Sequence, residues 1–319
     1  MYYTRALAVM RALIGGLGDV LRAPGLIIAA VAAMLLIAVP FATVLGVRLQ
    51  ESLSHQQPVA EGATEIDADW WQEFVEHADG IAATFTPVII GFAAPLDNLS
   101  AVLDGTRRPL ILVIPISLAI AVWAFIWGAA LDRFARGSHT AGLWRAGVRT
   151  WPAFLAVSLF ATALVLVLYY TVHPLLFGDL GNRLQRSAAD ERTAFLTRIV
   201  LYVMFGSVLV AISLVADYAR VMLAMSPQLR VAAAIRDSWR FVRANAGSVL
   251  GLYLATGALF VVLLAAYGAI DVAGGVHVGG WRGIAIAQAY IIARIAVRLT
   301  FAASELRLFR SVSPGHGAS

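Results

Sequence analysis

An all-α bundle of six membrane-crossing helices is what this chain predicts, on three observations. Of its 319 residues, 60% are hydrophobic and only 13% charged, with a mean hydropathy of +0.80; a water-soluble domain needs more charge than that to cover its surface. Six apolar stretches are each long enough to cross a hydrocarbon core of about 30 Å. Arginine, the sole basic side chain besides histidine, gathers in segments on one side of those stretches, as the positive-inside rule describes.

Taken in order, residues 1–24 carry Arg5, Arg11 and Arg22 ahead of a 23-residue apolar run without a cleavage-like site, which reads as a signal anchor. The predicted spans are 25–47, 109–131, 152–172, 199–222, 248–270 and 283–303, and residues 311–319 read as a flexible tail. Segments 1–24, 132–151, 220–247 and the C-terminal end hold 16 of the 24 arginines, counting those at the inner ends of spans. Both termini are therefore expected on the cytoplasmic side of a bacterial inner membrane. The 174–198 loop falls outside despite Arg183, Arg186, Arg192 and Arg198.

The outer loop 48–108 has ten acidic residues and three arginines. Within it, "ATEIDADWWQEFVEHADG" predicts a short amphipathic helix with Trp70, Trp71, Phe74 and Val75 on its apolar side, tryptophan being a common interfacial anchor. The stretch "GIAATFTPVIIGFAAPL" (80–96) is interrupted by Pro87, Gly91 and Pro95 and reads as interfacial or re-entrant rather than as a seventh span.

Self-comparison shows a repeat. "VRTWPAFLAVSLFATAL" at 148 aligns with "VRANAGSVLGLYLATGA" at 242, and "LRAPGLIIAAVAAML" at 21 is a fainter copy. "ALDRFAR" (130–136) resembles "VADYAR" (215–220), and "RVMLAMS" (220–226) resembles "RLTFAAS" (298–304). The chain thus reads as three helical hairpins in series, each opening with a basic segment. The clearest such segment, "PQLRVAAAIRDSWRFVRANAG", sets Leu229, Ala232, Ile235, Trp239 and Val242 at helical spacing and Arg236, Arg240 and Arg243 on another face. A basic amphipathic helix bordered by tryptophan suits an anionic headgroup layer or a protein partner on the cytoplasmic face.

Charges inside spans are costly and usually paired. Asp217 and Arg220 stand near the end of the fourth span and Asp132 and Arg136 at the matching end of the second, where they read as a charged collar. In the sixth span, counting from Arg282 puts Arg294 about 18 Å into the bilayer. The repeat instead sets Arg298 level with Arg220 and Arg294 one turn below the boundary, and it carries more weight because Gly274–Gly280 blurs the start of that span. Asp132, Asp217, Arg220, Arg294 and Arg298 form the candidate polar cluster.

Signals for catalysis are sparse. The chain has no cysteine, which excludes disulfides and thiolate chemistry. His55, His77, His139, His173, His277 and His316 occur singly, with His173 and His277 able to meet at the outer face. No HExxH, G-x-S-x-G, P-loop or dinucleotide pattern is present. The expectation is a protein without enzyme activity, cofactor, metal or nucleic-acid partner, the net charge of +5 being spent on topology.

The stretches "IIGFAAPLDNLSAVLDG", "VADYARVMLAM", "WRFVRANAGSVLGLYL" and "QAYIIARIAVRLTFAASELRLF" resemble a group of bacterial six-span membrane proteins and, more distantly, the membrane domains fused to glycerophosphodiester phosphodiesterases. The resemblance spans about residues 85–310 and implies architecture and topology without an activity. The functional expectation is a scaffold or accessory component in envelope or lipid processes, with a transporter or channel subunit next and a lipid-handling protein or membrane enzyme after it.

Overall fold

The computed structural model describes residues 2–54, 68–85, 93–106, 108–137, 140–187, 190–226, 228–273 and 281–313. Among them every regular element is helical. The elements are α1 (Tyr2–Leu21), α2 (Pro24–Ser54), α3 (Ala68–His77), α4 (Ala93–Asp104), α5 (Val113–Arg136), α6 (Thr140–Val167), α7 (Gly181–Arg186), α8 (Glu191–Met225), α9 (Val231–Ala244), α10 (Ala246–Val272) and α11 (Trp281–Val312). Six stretches are long and apolar enough to cross a membrane: Pro24–Ser52, Leu110–Arg136, Gly142–Leu184, Glu191–Met225, Ala246–Val272 and Trp281–Val312. This is the architecture of a multi-pass membrane protein.

Local chemistry explains most boundaries. Pro24 opens α2, where its missing N–H is no loss. Gly137, with φ of +66°, closes α5 in the left-handed conformation that glycine tolerates. The Asp190 side chain caps α8 by accepting the Thr193 backbone N–H at 2.7 Å. α6 differs from its predicted span: it begins at Thr140, absorbs the basic segment before Pro152, and passes into π-helical turns at Leu168–Val172 and Pro174–Leu180. α11 continues nine residues beyond the predicted span end at 303, and 314–319 of the expected tail lie outside the described residues. So do His55, His139, His277, His316 and the middle of the 80–96 stretch, residues 86–92.

The core lies towards one end of the bundle. Buried apolar side chains run over Trp123–Leu131 of α5, Leu214–Ala224 of α8 and Ile295–Phe309 of α11, joined by Leu26 and Ala30 of α2 and Phe154 and Val157 of α6. This is the end where α5 and α8 finish. Towards the other end, large apolar residues such as Leu36, Val39, Ile114, Leu166, Val203 and Val262 are exposed, as suits a lipid-facing surface.

α2 packs on α5, α6 on α8 and α10 on α11. Three further seams join helix ends. The first turns of α6 lie along α5, where a Cβ on Gly147 would come 2.6 Å from the Phe125 ring and Trp151 Nε1 donates to the Ala121 carbonyl at 2.8 Å. α9 folds back on α8, with Ser238 Oγ donating to the Val215 carbonyl at 2.9 Å. Its buried face centres on Ala234, Ser238 and Val242, so Ala232 and Trp239, placed on the apolar face by the sequence spacing, are exposed; close helix packing selects the small side chains instead.

α1 was not distinguished as a helix from the sequence. It runs along α11, with Val9, Ala12, Leu252 and Leu308 packed together. Its opposite side exposes Leu7, Met10, Ile14, Leu17 and Leu21 at helical spacing, a stripe for a membrane interface.

At Gly16 an added Cβ would meet the Ser304 backbone N at 2.8 Å and the Thr300 carbonyl O at 3.0 Å, whereas Gly18 faces open space. Gly16→Ala and Gly18→Ala gain the same helix propensity, so their difference reads the α1–α11 contact. In detergent, thermal unfolding should show Gly16→Ala less stable than Gly18→Ala by about 1–3 kcal/mol. Equal stabilities would contradict this packing.

Candidate functional site

A groove of about 610 Å³ runs between α5, α6, α8 and α11. One end holds Asp217 and Arg220 of α8, Arg298 of α11 and Ser158 of α6; the walls leading away from them include Ile116 and Ile120 of α5 and Val165 of α6. From Trp127 to Ile116 the α5 wall spans about 16 Å at 1.5 Å per residue.

The charged end is built from three helices. Arg220 Nη1 donates to Asp217 Oδ1, its neighbour one turn earlier on α8, while Arg220 Nη2 donates to Ser158 Oγ at 3.2 Å. Ser158 Oγ in turn donates to the Phe154 carbonyl at 2.9 Å. Arg298 is held differently. Its guanidinium lies 3.9 Å from the Trp123 ring centre and 5.8 Å from that of Trp127. It makes no hydrogen bond or salt bridge with any described residue, though Asp217, Arg220 and Arg294 act on it through space. A guanidinium carries five N–H donors, and stacking on an indole satisfies none of them.

Behind the groove lies a buried polar layer. Tyr218 is fully enclosed and Glu305 is 2% exposed. The Tyr218 hydroxyl, Arg220 Nε and Glu305 Oε1 are all buried without a hydrogen-bond partner among the described residues.

The candidate cluster read from the sequence therefore divides. Asp217, Arg220 and Arg298 come together. Arg294 does not line the groove; its guanidinium sits 5.9 Å from the Phe260 ring centre. Asp132 lies in a separate layer, accepting from Arg136 and from Arg149 Nη2 at 3.0 Å. In that layer Arg136 Nη2 donates to the Ala224 carbonyl at 3.0 Å and Arg310 Nη2 to the Ala135 carbonyl at 2.7 Å, while Arg307 forks onto Asp19 at 2.6 and 2.7 Å. Arg136 and Arg310 thereby satisfy carbonyls that the ends of α8 and α5 leave open.

Arg298 lines the same groove as the Asp217–Arg220 pair. The helix itself does not end at this level: α8 continues to Met225, and Asp217 lies seven residues before Ala224, about 10 Å along the helix. The sequence equated Asp132 with Asp217, but the two aspartates sit at different heights. Trp123, Trp127, Ser158, Tyr218 and Glu305 were not singled out from the sequence at all.

On α9, Arg236, Trp239, Arg240 and Arg243 are exposed together. Asp237 pairs with Arg236 at 3.2 Å and Arg240 at 3.6 Å, and the Arg243 guanidinium lies 5.9 Å from the Trp239 ring centre. In the outer loop, α3 forms where expected, with Trp70 and Phe74 buried in a small cluster with Ala82.

The opposite end of the bundle carries an aromatic latch. Tyr169, His173 and Phe177, brought to one side by the π-helical turns, surround Phe205. Tyr169 donates to the Val102 carbonyl, and His173 Nε2 lies 3.0 Å from the Leu103 carbonyl. Asp104 ends α4 and accepts from the Tyr202 hydroxyl and from Ser100 Oγ at 2.9 Å, with Arg198 Nη2 at 3.5 Å. His277, expected from the sequence to meet His173, lies outside the described residues.

No protein-family model, curated protein or solved structure matches this chain. Among the described residues no group of three or more His, Asp or Glu side chains is placed to hold a metal ion.

Hydrogen bonds from Tyr202 and then Ser100, with the Arg198 charge, hold the Asp104 carboxyl below its ordinary value of 3.8. A carboxyl depressed by folding contributes stability above the unfolded value and loses it as pH falls through the folded one. Thermal stability should therefore decline below about pH 4 more steeply in the native protein than in Asp104→Asn. Parallel acid profiles would contradict the latch.

Proposed function

We propose that this chain is a lipid-handling membrane protein whose α5–α6–α8–α11 groove holds an acidic amphiphile. The anionic head rests on Arg298 beside Arg220, and the chain lies along Ile116, Ile120 and Val165. The observation that carries this reading is the Arg298 guanidinium, set at the charged end of the groove with its donors unmatched by any described residue. Asp217 is already engaged by Arg220, which leaves Arg298 without an ion pair among the residues that line the groove. An acidic head supplies both the missing charge and the missing acceptors.

The orientation of the groove supports the same assignment. Its charged end faces the layer of Asp132, Arg136, Arg149 and Arg310, and its apolar end leads away from it. Placed with the arginine-rich side towards the cytoplasm, the groove takes a lipid of the inner leaflet head inward and chain towards the bilayer centre. Location in a bacterial inner membrane with both termini cytoplasmic belongs to this proposal, supported by the arginine distribution. The resemblance to a six-span bacterial group is compatible with it. A lateral, ligand-sized groove favours lipid handling over a purely scaffolding role, and the described groove residues suggest binding and presentation rather than chemistry on the lipid.

Arg298→Gln keeps most of the side-chain volume and removes the charge. Purified from native membranes alongside the native protein, it should lose one equivalent of co-purifying acidic lipid, the affinity of this groove falling about tenfold, the weight of one charge-assisted hydrogen bond of roughly 1.5–3 kcal/mol. Its thermal stability should hold or rise, because an unpaired charge is removed. Undiminished acidic lipid on the variant would overturn the assignment.

A further inference from the structure

A second groove, on the other side of the α6–α8 pair, is not used by the proposed function. It has a volume of about 500 Å³ and shares only Ala161, Ile212 and Ala216 with the first. Its walls are Phe160 and Leu164 of α6, Val208 and Ala211 of α8, and Ile235 and Trp239 of α9. The hydroxyl of Ser207, which also lines it, is already committed to the Val203 carbonyl at 2.6 Å. No described charged side chain enters it.

The two ends of this groove differ. Along α8 it runs from Ser207 to Ala216, about 13 Å at 1.5 Å per residue, close to the roughly 15 Å hydrocarbon depth of one leaflet. The far end carries no charged side chain, its one hydroxyl, that of Ser207, being held by its own helix. The near end is closed by α9, whose Trp239 is 47% exposed. Three exposed arginines, Arg236, Arg240 and Arg243, stand there against the single carboxylate of Asp237. Asp237 engages Arg236 and Arg240, and Arg243 is left against the Trp239 ring. A chain-length apolar slot ending at a net-positive, tryptophan-bordered helix is complementary to one kind of molecule: a phospholipid with an anionic headgroup.

We propose that the α6–α8–α9 groove is a binding site for an anionic diacyl phospholipid of the leaflet on the α9 side. One acyl chain occupies the groove and the phosphate lies on Arg240 and Arg243 beside Trp239. The site is independent of the Arg298 groove. Ser238, fully buried and hydrogen-bonded to the Val215 carbonyl, fixes α9 to α8 and so sets the height of the headgroup contacts relative to the chain slot. α9 thereby becomes part of a lipid clamp rather than only a helix lying in the headgroup layer.

The test uses the full-length protein in mixed micelles, with phosphatidylglycerol and phosphatidylcholine of matched chains competing and bound lipid read by native mass spectrometry. It is run in the Arg298→Gln background so that the first groove does not contribute. Phosphatidylglycerol should be retained in preference to phosphatidylcholine. Arg240→Ala and Arg243→Ala should each reduce that preference by about fivefold, the weight of one arginine at an anionic surface. Ala211→Phe, which fills the slot, should reduce retention of both lipids. Should Ala211→Phe fail to fold, the exposed arginine variants carry the test alone. Equal retention of the two lipids, which is annular lipid only, would overturn the site, as would a preference unchanged in the arginine variants. A phosphatidylglycerol preference present in the native protein and wholly absent in the Arg298→Gln background would assign it to the Arg298 groove and would equally overturn this inference.

Discussion

An arginine within an apolar bundle must find acceptors, and that constraint shapes the arginine-rich half of this molecule. Helices close their own main-chain hydrogen bonds, so the bundle needs no help from solvent along its length. What is left open is at helix ends and on charged side chains. The chain resolves the helix ends with arginines from neighbouring helices: Arg136 reaches the Ala224 carbonyl, Arg310 the Ala135 carbonyl, and Asp132 takes Arg136 and Arg149 together. One turn-rich layer thus ties α5, α6, α8 and α11. Arg298 lies deeper, is stacked rather than bonded, and has donors to spare.

The packing leaves the groove where it is. Tight burial on α5, α8 and α11 occupies the half of the bundle nearest the arginine layer, and the outward parts of α5, α6 and α8 carry exposed branched side chains. A bundle closed at one end and loosely joined along its sides forms lateral slots between helices, and both grooves flank the α6–α8 pair. The seams that hold the closed end are made by small residues: Gly16 against α11, Gly147 against Phe125, and Ser238 against α8. Such residues let backbones approach in a setting where apolar side chains gain little by leaving lipid.

The spans were legible because hydrocarbon thickness imposes a length that apolar runs display directly. α3 was legible from Trp70, Trp71 and Phe74, and α9 from its periodicity, although the buried face of α9 follows Ala234 and Ser238 rather than the large residues. α1 carried a readable signal at Leu7, Met10, Ile14, Leu17 and Leu21, but its arginines drew the reading towards topology. Counting from Arg198 ended the fourth span at 222, whereas α8 runs 35 residues, from Glu191 to Met225, and continues eight residues past Asp217. The splitting of Asp132 from Asp217 was beyond sequence reach, since it depends on Arg149, supplied by α6 across a turn. Trp123 and Trp127 looked like ordinary span residues; only the crossing of α11 makes them a platform for Arg298. Glu305 fell just past the predicted end of its span.

The claim that most needs testing is that Arg298 satisfies its donors with a bound acidic headgroup. An experimental structure of the protein in nanodiscs made from its native membrane lipids tests it most directly. The account predicts density for an acidic head within hydrogen-bonding distance of the Arg298 guanidinium, continuing as a chain past Ile120 towards Ile116. A groove closed by side chains, with Arg298 paired to a carboxylate of the protein itself, would contradict it.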